Sequence, residues 1–232
     1  IGDNVSVENL IKGIVIQSGN DACIVVAENI AGSEDDFVIL MNKTAKKLGL
    51  KNSHFENATG LPHPDHKMSM EDLAILARHI IKEFPELYHY FSQKEFVYNN
   101  IKQGNRNPLL YTMKGADGLK TGHTEEAGFC LAASATKGDR RLIEVMSGMS
   151  SNRERSEEAE RLMSWGFREF NNFKIFTKGQ TVAAAKIWYG KEDSVNLTVA
   201  DDVLKTVHMS QQDNVKATAE FDEPVKAPIK AG

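Results

Sequence analysis

The spacing of apolar residues changes three times along this 232-residue chain, and those changes restrict the fold more than any other feature of the sequence. Up to Pro85 the spacing is helical. Leu10, Ile11, Ile14 and Val15 form a short stripe, and Ala22, Ile24, Val25, Val26 and Ala27 read as a second, largely buried helix. Phe37, Leu40, Met41, Ala45 and Leu48 make a third, with Gly49 placed to cap its C-terminus. In "SMEDLAILARHIIKEFP", Ser69 and Asp72 have the spacing of a capping box and Pro85 stops the helix. Its core face is Leu73, Leu76, Ala77, Ile80 and Ile81.

After residue 94 strand signals take over. "KEFVYNNI" reads as one strand, and "GFCLAASAT" and "RRLIEVMSG" as two more, joined by the hairpin turn Lys137-Gly138-Asp139. "RERSEEAERLMSWGFREF" then returns to helix, with Ala159, Leu162, Met163, Gly166 and Phe170 on one face. This order predicts an α+β fold, helices around an antiparallel sheet, over residues 1–172. Short alternating strands and frequent turns from residue 173 to 232 predict a small all-β domain, near the lower size limit for independent folding.

Composition removes several classes of function. A chain that is 41% hydrophobic and 26% charged is ordinary for a globular protein, and a net charge of −4 argues against a nucleic-acid-binding surface. No apolar run approaches the roughly 18 residues of a membrane span, and no basic-then-apolar secretion signal opens the chain. Cys23 and Cys130 lack C-x-x-C spacing and read as buried thiols. The seven histidines, among them His54, His63 and His66, lack H-E-x-x-H spacing. His63 and His66 lie in the Pro-rich loop "GLPHPDHKMS", where neither a metal nor a cofactor is expected.

Two short motifs carry the candidate chemistry. In "VIQSGNDACIVVAENIAG" the polar triplet Ser18-Gly19-Asn20 separates two apolar runs. It is placed either to cap the following helix or to present a hydroxyl and an amide to a substrate, or both. In "DGLKTGHT", Lys120-Thr121-Gly122 offers a point charge, a hydroxyl and a residue that lets another backbone approach closely, a set suited to anion recognition. S-x-N followed about a hundred residues later by K-T-G is a combination known from penicillin-binding proteins and class A β-lactamases.

The sequence closely resembles the D-alanyl-D-alanine carboxypeptidases among the low-molecular-weight penicillin-binding proteins. The resemblance runs nearly end to end, through "LIKGIVIQSGNDA", "LGLKNSHFENATGLP", "NRNPLLY", "DGLKTGHTEEAGFCLAASAT" and "SEEAERLMSWGF". It implies serine acyl transfer: a serine attacks the peptide bond between two D-alanines, the terminal residue leaves, and water hydrolyses the acyl-enzyme. It also implies catalytic roles for Ser18, Asn20 and Lys120, with Ser18 relaying a proton, Asn20 holding the substrate peptide and Lys120 stabilising charge. Thr121, Gly122, His123 and Arg155 would bind substrate, the His123 N–H as an oxyanion donor and Arg155 near the terminal carboxylate. A salt bridge from Arg155 to Glu158 is the competing role for that arginine. Arg106, in "GNRNP", is as suited to bracing a loop as to touching substrate.

In the family the nucleophile and its base come from an S-x-x-K motif upstream of the S-G-N triplet. The one such string here, Ser134-Ala135-Thr136-Lys137, falls at the end of an expected strand and is read as a chance match. The expectation is therefore an interior fragment, inactive alone, of a periplasmic enzyme associated with the inner membrane through a C-terminal anchor. The implied partners are peptidoglycan stem peptides ending in D-Ala-D-Ala and β-lactam antibiotics. Two other readings stay open: a class A β-lactamase, against which stands glycine rather than aspartate at position 19, and a non-catalytic scaffold that recognises peptidoglycan or penicillin.

Overall fold

A computed structural model describes residues 2–230. By internal contacts the chain divides into two units, residues 1–165 and 166–232, so the division falls earlier than the expected 172/173.

The first unit opens with α1 (Val7–Lys12), one π-helical turn (Gly13–Gln17), α2 (Asn20–Ala31) and α3 (Glu34–Leu48). Serines begin three of its helices for one reason. Ser6, Ser33 and Ser69 each sit just before a helix and accept, through the side-chain hydroxyl, an otherwise orphaned N–H three residues on, from Asn9, Asp36 and Asp72. Gly32 and Gly49 close α2 and α3 in the left-handed region that an L side chain resists. A two-stranded ribbon follows, β1 (Ser53–His54) with β2 (Lys67–Met68), then α4 (Met70–Glu83).

Asp72 forms only half of a capping box. The Ser69 N–H goes to the Asn52 carbonyl, and the Asp72 carboxylate accepts from the N–H groups of Lys51 (3.2 Å) and Asn52 (2.7 Å) and the hydroxyl of Ser53 (2.7 Å). Burial works against its charge, but those hydrogen bonds outweigh it and hold the carboxyl below its usual range.

The segment read as one strand, "KEFVYNNI", is a hairpin instead: β3 (Glu95–Tyr98) and β4 (Ile101–Gly104). Asn99 and Asn100 both have positive φ, 48° and 61°, which gives the two-residue turn the twist a hairpin needs. After the short α5 (Leu109–Thr112) comes an antiparallel sheet of β5 (Ala116–Thr124), β6 (Gly128–Lys137) and β7 (Arg140–Met149), in that order, with β6 central. Ala77 of α4 packs with Tyr88, Leu119 and Ala132 against one face of this sheet, flanked by Leu73, Ile80, Ile81, Ile143 and Val145. Full burial of each large aliphatic side chain of this kind is worth about 1.5–3 kcal/mol.

α6 (Asn152–Glu169) buries Arg155, Ala159 and Met163, four residues apart and hence on one face. It stops at Glu169, so Phe170, expected on the helix, instead opens β8.

The second unit is all-β apart from the end of α6 and one 3₁₀ turn at Met209–Asn214. β8 (Phe170–Phe176) pairs antiparallel with β11 (Val203–His208). β9 (Thr181–Trp188) lies between β10 (Ser194–Thr198) and β12 (Val225–Lys226), with Ala185 fully buried on it. Helices around an antiparallel sheet, followed by a small β domain, is the arrangement that the periodicity predicts.

Candidate active site

The backbone that carries Ser18 is unusual before any side chain is considered. The π-helical turn makes one wide loop: the N–H of Gly19 reaches the carbonyl of Gly13 at 3.0 Å and that of Ser18 reaches Ile14 at 3.2 Å. Such turns concentrate at functional sites because they re-aim the chain. Ser18 then adopts φ 64°, a conformation that costs a non-glycine residue free energy. Its hydroxyl does not cap α2, contrary to one of the expected roles. The cap residue is Gly19, which uses its carbonyl alone, accepting from the N–H of Cys23 at 3.2 Å.

The Ser18 hydroxyl accepts a hydrogen bond from the ammonium of Lys120 instead. A Cβ at Gly19 would lie 3.0 Å from Asp21 Oδ1 and 3.4 Å from the carbonyl oxygen of Gly13, so a larger residue would crowd this turn. Asn20 is the first residue of α2 and is exposed beside it.

Lys120, Thr121, Gly122 and His123 lie on β5, paired with Ala132, Leu131, Cys130 and Phe129 of β6. The sheet leaves the other edge of β5 without a strand partner among the described residues. Such an edge can take an extended peptide as an added strand. Side chains alternate along it, so Lys120 and Gly122 share one face and Thr121 and His123 the other. The His123 ring packs on Phe129 with centroids 4.2 Å apart.

Lys120 also donates to the Thr121 carbonyl at 2.9 Å. Burial, and after it the positive charges of Arg106 and Arg155, push its pKa down to about 8, while Cys23 acts in the opposite sense. Arg106 is exposed, and its charge acts on Lys120, which is neither of the two expected roles.

Arg155 is only 5% exposed. Its guanidinium donates to the carbonyls of Gly122 and Cys130, each at 3.4 Å, and to Asn152 Oδ1, and it lies over the Phe129 ring at 5.6 Å. Glu158 pairs with Arg161, not with Arg155. Arg155 thus braces β5 and β6 from α6, and its Nε is buried without a hydrogen-bond partner. Cys23 and Cys130 are free thiols, half-buried rather than fully buried, and burial raises the pKa of both.

Ser134 is fully buried on β6 and accepts from Arg141 at 2.6 Å, whereas Lys137 is exposed at the strand end. Residues three apart on a strand point to opposite faces, so these two cannot form a nucleophile–base pair.

Sequence reasoning missed the residues that hold β5 in place. Asn107, 1% exposed, donates from Nδ2 to the Gly118 carbonyl at 2.8 Å while its Oδ1 accepts from the Leu109 N–H at 3.1 Å. Asp117 is gripped by Arg141, at 2.7 and 2.8 Å, and accepts from the Tyr88 hydroxyl at 3.3 Å. The only signal for Asn107 was an amide directly before Pro108 and the apolar pair Leu109-Leu110. Asp117 and Arg141 gave none, because their partnership depends on strand register.

Comparison with known proteins agrees with this geometry. The D-alanyl-D-alanine carboxypeptidase family profile matches residues 1–151, and that of the penicillin-binding protein 5 C-terminal domain matches residues 170–232. The D-alanyl-D-alanine carboxypeptidase DacC of Escherichia coli is 43% identical over 233 residues, an alignment covering 100% of this chain and 58% of that protein. Penicillin binding protein 5 from Haemophilus influenzae superposes with a TM-score of 0.87 at 41% identity, covering 97% of this chain and 67% of that one. Penicillin-binding protein D2 from Listeria monocytogenes, solved in an ampicillin-bound form, superposes with a TM-score of 0.66 at 32% identity, covering 71% and 68%. The chain spans 58–60% of the length of the Escherichia coli carboxypeptidases DacC and DacD. With the Ser18–Lys120 site, the antiparallel sheet and the following small β domain all in place, this chain belongs to the D-alanyl-D-alanine carboxypeptidase family.

Proposed function

We propose that this chain carries the substrate-binding and proton-relay part of a serine-type D-Ala-D-Ala carboxypeptidase that trims peptidoglycan stem peptides. The observation that carries the reading is the hydrogen bond from Lys120 to Ser18, made by an ammonium whose pKa is brought down to about 8. A lysine so tuned holds the serine hydroxyl in place at neutral pH and gives up its own proton at little cost.

In this reading the acyl-forming serine comes from the family's S-x-x-K segment and not from Ser134. That serine attacks the carbonyl carbon of the penultimate D-alanine and its proton passes to the neighbouring base. The C–N bond then breaks, and Ser18 relays a proton to the departing amine nitrogen. Water hydrolyses the ester and restores the serine. The substrate lies along the free edge of β5 beside Thr121 and Gly122, with Asn20 on its peptide and the His123 N–H aimed at the oxyanion. Arg155 acts from behind the strand, setting the positive potential that draws the terminal carboxylate. β-Lactams would acylate the same serine and be held by the same edge. In this reading the work is done on peptidoglycan in the periplasm, with attachment to the inner membrane through a C-terminal anchor of the kind the resemblance implies. Among the described residues no helix is long and apolar enough to cross a membrane. The family matches favour this reading over a class A β-lactamase or a scaffold.

The test is acylation by a fluorescent penicillin of the protein joined to the family's S-x-x-K segment. Ser18→Ala and Lys120→Ala should each slow acylation by about 10²–10⁴-fold, the usual contribution of positioned proton transfer. Unchanged rates, or labelling that maps to Ser134, would overturn the assignment.

A further inference from the structure

The loop joining β1 to β2 brings together side chains that the sequence leaves apart. Read as a string, "GLPHPDHKMS" offers two histidines and no metal spacing. In the fold, ligand atoms of Glu56, His63 and Asp65 all lie within 4.8 Å of one another. His54 Nε2 stands 2.8 Å from Glu56 Oε1.

The backbone under these groups is already fixed. Asn57 Oδ1 accepts from the N–H groups of Thr59 (3.2 Å), Gly60 (2.7 Å) and Leu61 (3.1 Å), and its Nδ2 donates back to the Leu61 carbonyl at 2.9 Å. The N–H of Glu56 donates to His66 Nδ1 at 3.3 Å, and His66 meets Phe55 edge-on at 5.7 Å. Pairing of Ser53 with Met68 and His54 with Lys67 clamps the base of the loop. Donors presented this way need little ordering when a ligand arrives.

Electrostatics points to a cation. Two carboxylates this close repel each other, and only exposed partners offset that. Besides His54 on Glu56, Lys67 Nζ lies 3.7 Å from Asp65, with both side chains 68% exposed, an arrangement worth little in water. One imidazole nitrogen with two carboxylate oxygens is a donor set for zinc and its neighbours, whereas magnesium and calcium favour oxygen alone.

We propose that Glu56, His63 and Asp65 bind one divalent transition-metal ion of the zinc class, with His54 orienting Glu56 from outside the coordination sphere. The Asp65 N–H donates to His63 Nδ1 at 3.2 Å, so Nδ1 is the unprotonated nitrogen and carries the lone pair a metal needs. On binding, that long hydrogen bond is exchanged for a coordinate bond and Nε2 keeps its proton. Water fills the remaining position. None of its three ligands hydrogen-bonds to Ser18 or Lys120, and the proposal stands independently of the proposed reaction.

The experiment is calorimetric titration of the metal-free 232-residue chain with zinc chloride in a non-coordinating buffer at neutral pH. Expected is saturable binding of one equivalent, abolished by His63→Ala and by Asp65→Asn, and weakened about 10–100-fold by His54→Ala. Calcium chloride should give no heat. Because all three substituted side chains are exposed, His63 and Asp65 on the loop and His54 at its base, melting of the metal-free variants should match the parent. Should a variant fail to fold, cobalt(II) replaces the mutational test by selectively broadening the His63 and His54 ring resonances of the unaltered protein. No saturable zinc binding, binding that survives His63→Ala, or cobalt broadening centred on other histidines would overturn the proposal.

Discussion

The ammonium of Lys120 and the hydroxyl of Ser18 meet across 102 residues of sequence. One stands on an edge strand, the other on a left-handed residue after a wide helical turn. Neither environment suits its group in isolation: burial disfavours the charge, and positive φ disfavours a serine. The hydrogen bond between them offsets part of both costs.

Lys120 should titrate with a midpoint near 8, read from its side-chain nitrogen resonance. Arg106→Gln removes a repelling charge and should move that midpoint upward. A depressed lysine pKa contributes stability that is complete above about 10.5 and lost as pH falls through about 8. The parent's stability relative to Lys120→Met should therefore rise between those values. A midpoint at the ordinary lysine position would contradict the burial seen here.

Ser18→Ala should strip the ammonium of its hydroxyl acceptor. The loss is of a charge-assisted hydrogen bond, worth about 1.5–3 kcal/mol, and alanine gives no relief at positive φ because its Cβ meets the same clash. The diagnostic change is in Lys120, whose midpoint should fall below 8 once its charged form loses that partner.

Asn107→Ala should destabilise the first unit by about 1–3 kcal/mol in chemical denaturation, since it leaves the Gly118 carbonyl and the Leu109 N–H buried and unpaired. Strand β5 would lose its tie two residues before Lys120. The Lys120 resonance should broaden or split, an effect that mere loss of stability does not produce.

Glu144 on β7 is 7% exposed, and neither carboxylate oxygen has a hydrogen-bond partner among the described residues. Burial pushes its pKa up to about 8 from an ordinary 4.5. A raised carboxyl pKa contributes stability that is present below about 4.5 and lost as pH rises through about 8. Glu144→Gln should melt higher than the parent at pH 8 and close to it at pH 4. Equal melting curves at both values would show the carboxylate to be hydrated.

Much of the first unit was legible because its helices announce themselves twice, in spacing and in caps. Gly49 stands where α3 ends and Ser69 where α4 begins, and the apolar face of Leu73, Ala77, Ile80 and Ile81 meets the sheet as its period requires. The hairpin of β3 and β4 was missed because Asn99-Asn100 lacks the glycine that usually marks such a turn. Phe170 was misplaced because one more aromatic fits a helical stripe as well as the start of a strand.

The site divides in the same way. Ser18 and Lys120 were readable as motifs, since their chemistry depends on residue type and coarse spacing. Asn107, Asp117 and Arg141 depend on which strand residue faces which, and Arg141 reaches Asp117 and Ser134 only because β7 is folded back on β6 in one register. The buried position of Arg155 was likewise invisible: its spacing to Glu158 suited a surface ion pair, and only the placement of α6 against β5 and β6 shows it turned inward.

The distance along the chain between Ser18 and Lys120 also sets when the site can exist. At ribosomal rates of about 5–20 residues per second, the lysine is polymerised about 5–20 s after the serine. For that interval the wide turn and the left-handed serine can meet β3 and β4 but lack β5, the strand that supplies the ammonium. A growing chain must hold this segment loosely or lend it to another binder. Any factor that escorts it would be expected to engage the stretch around Ser18 first and to be displaced by β5, so that release and completion of the site become one event.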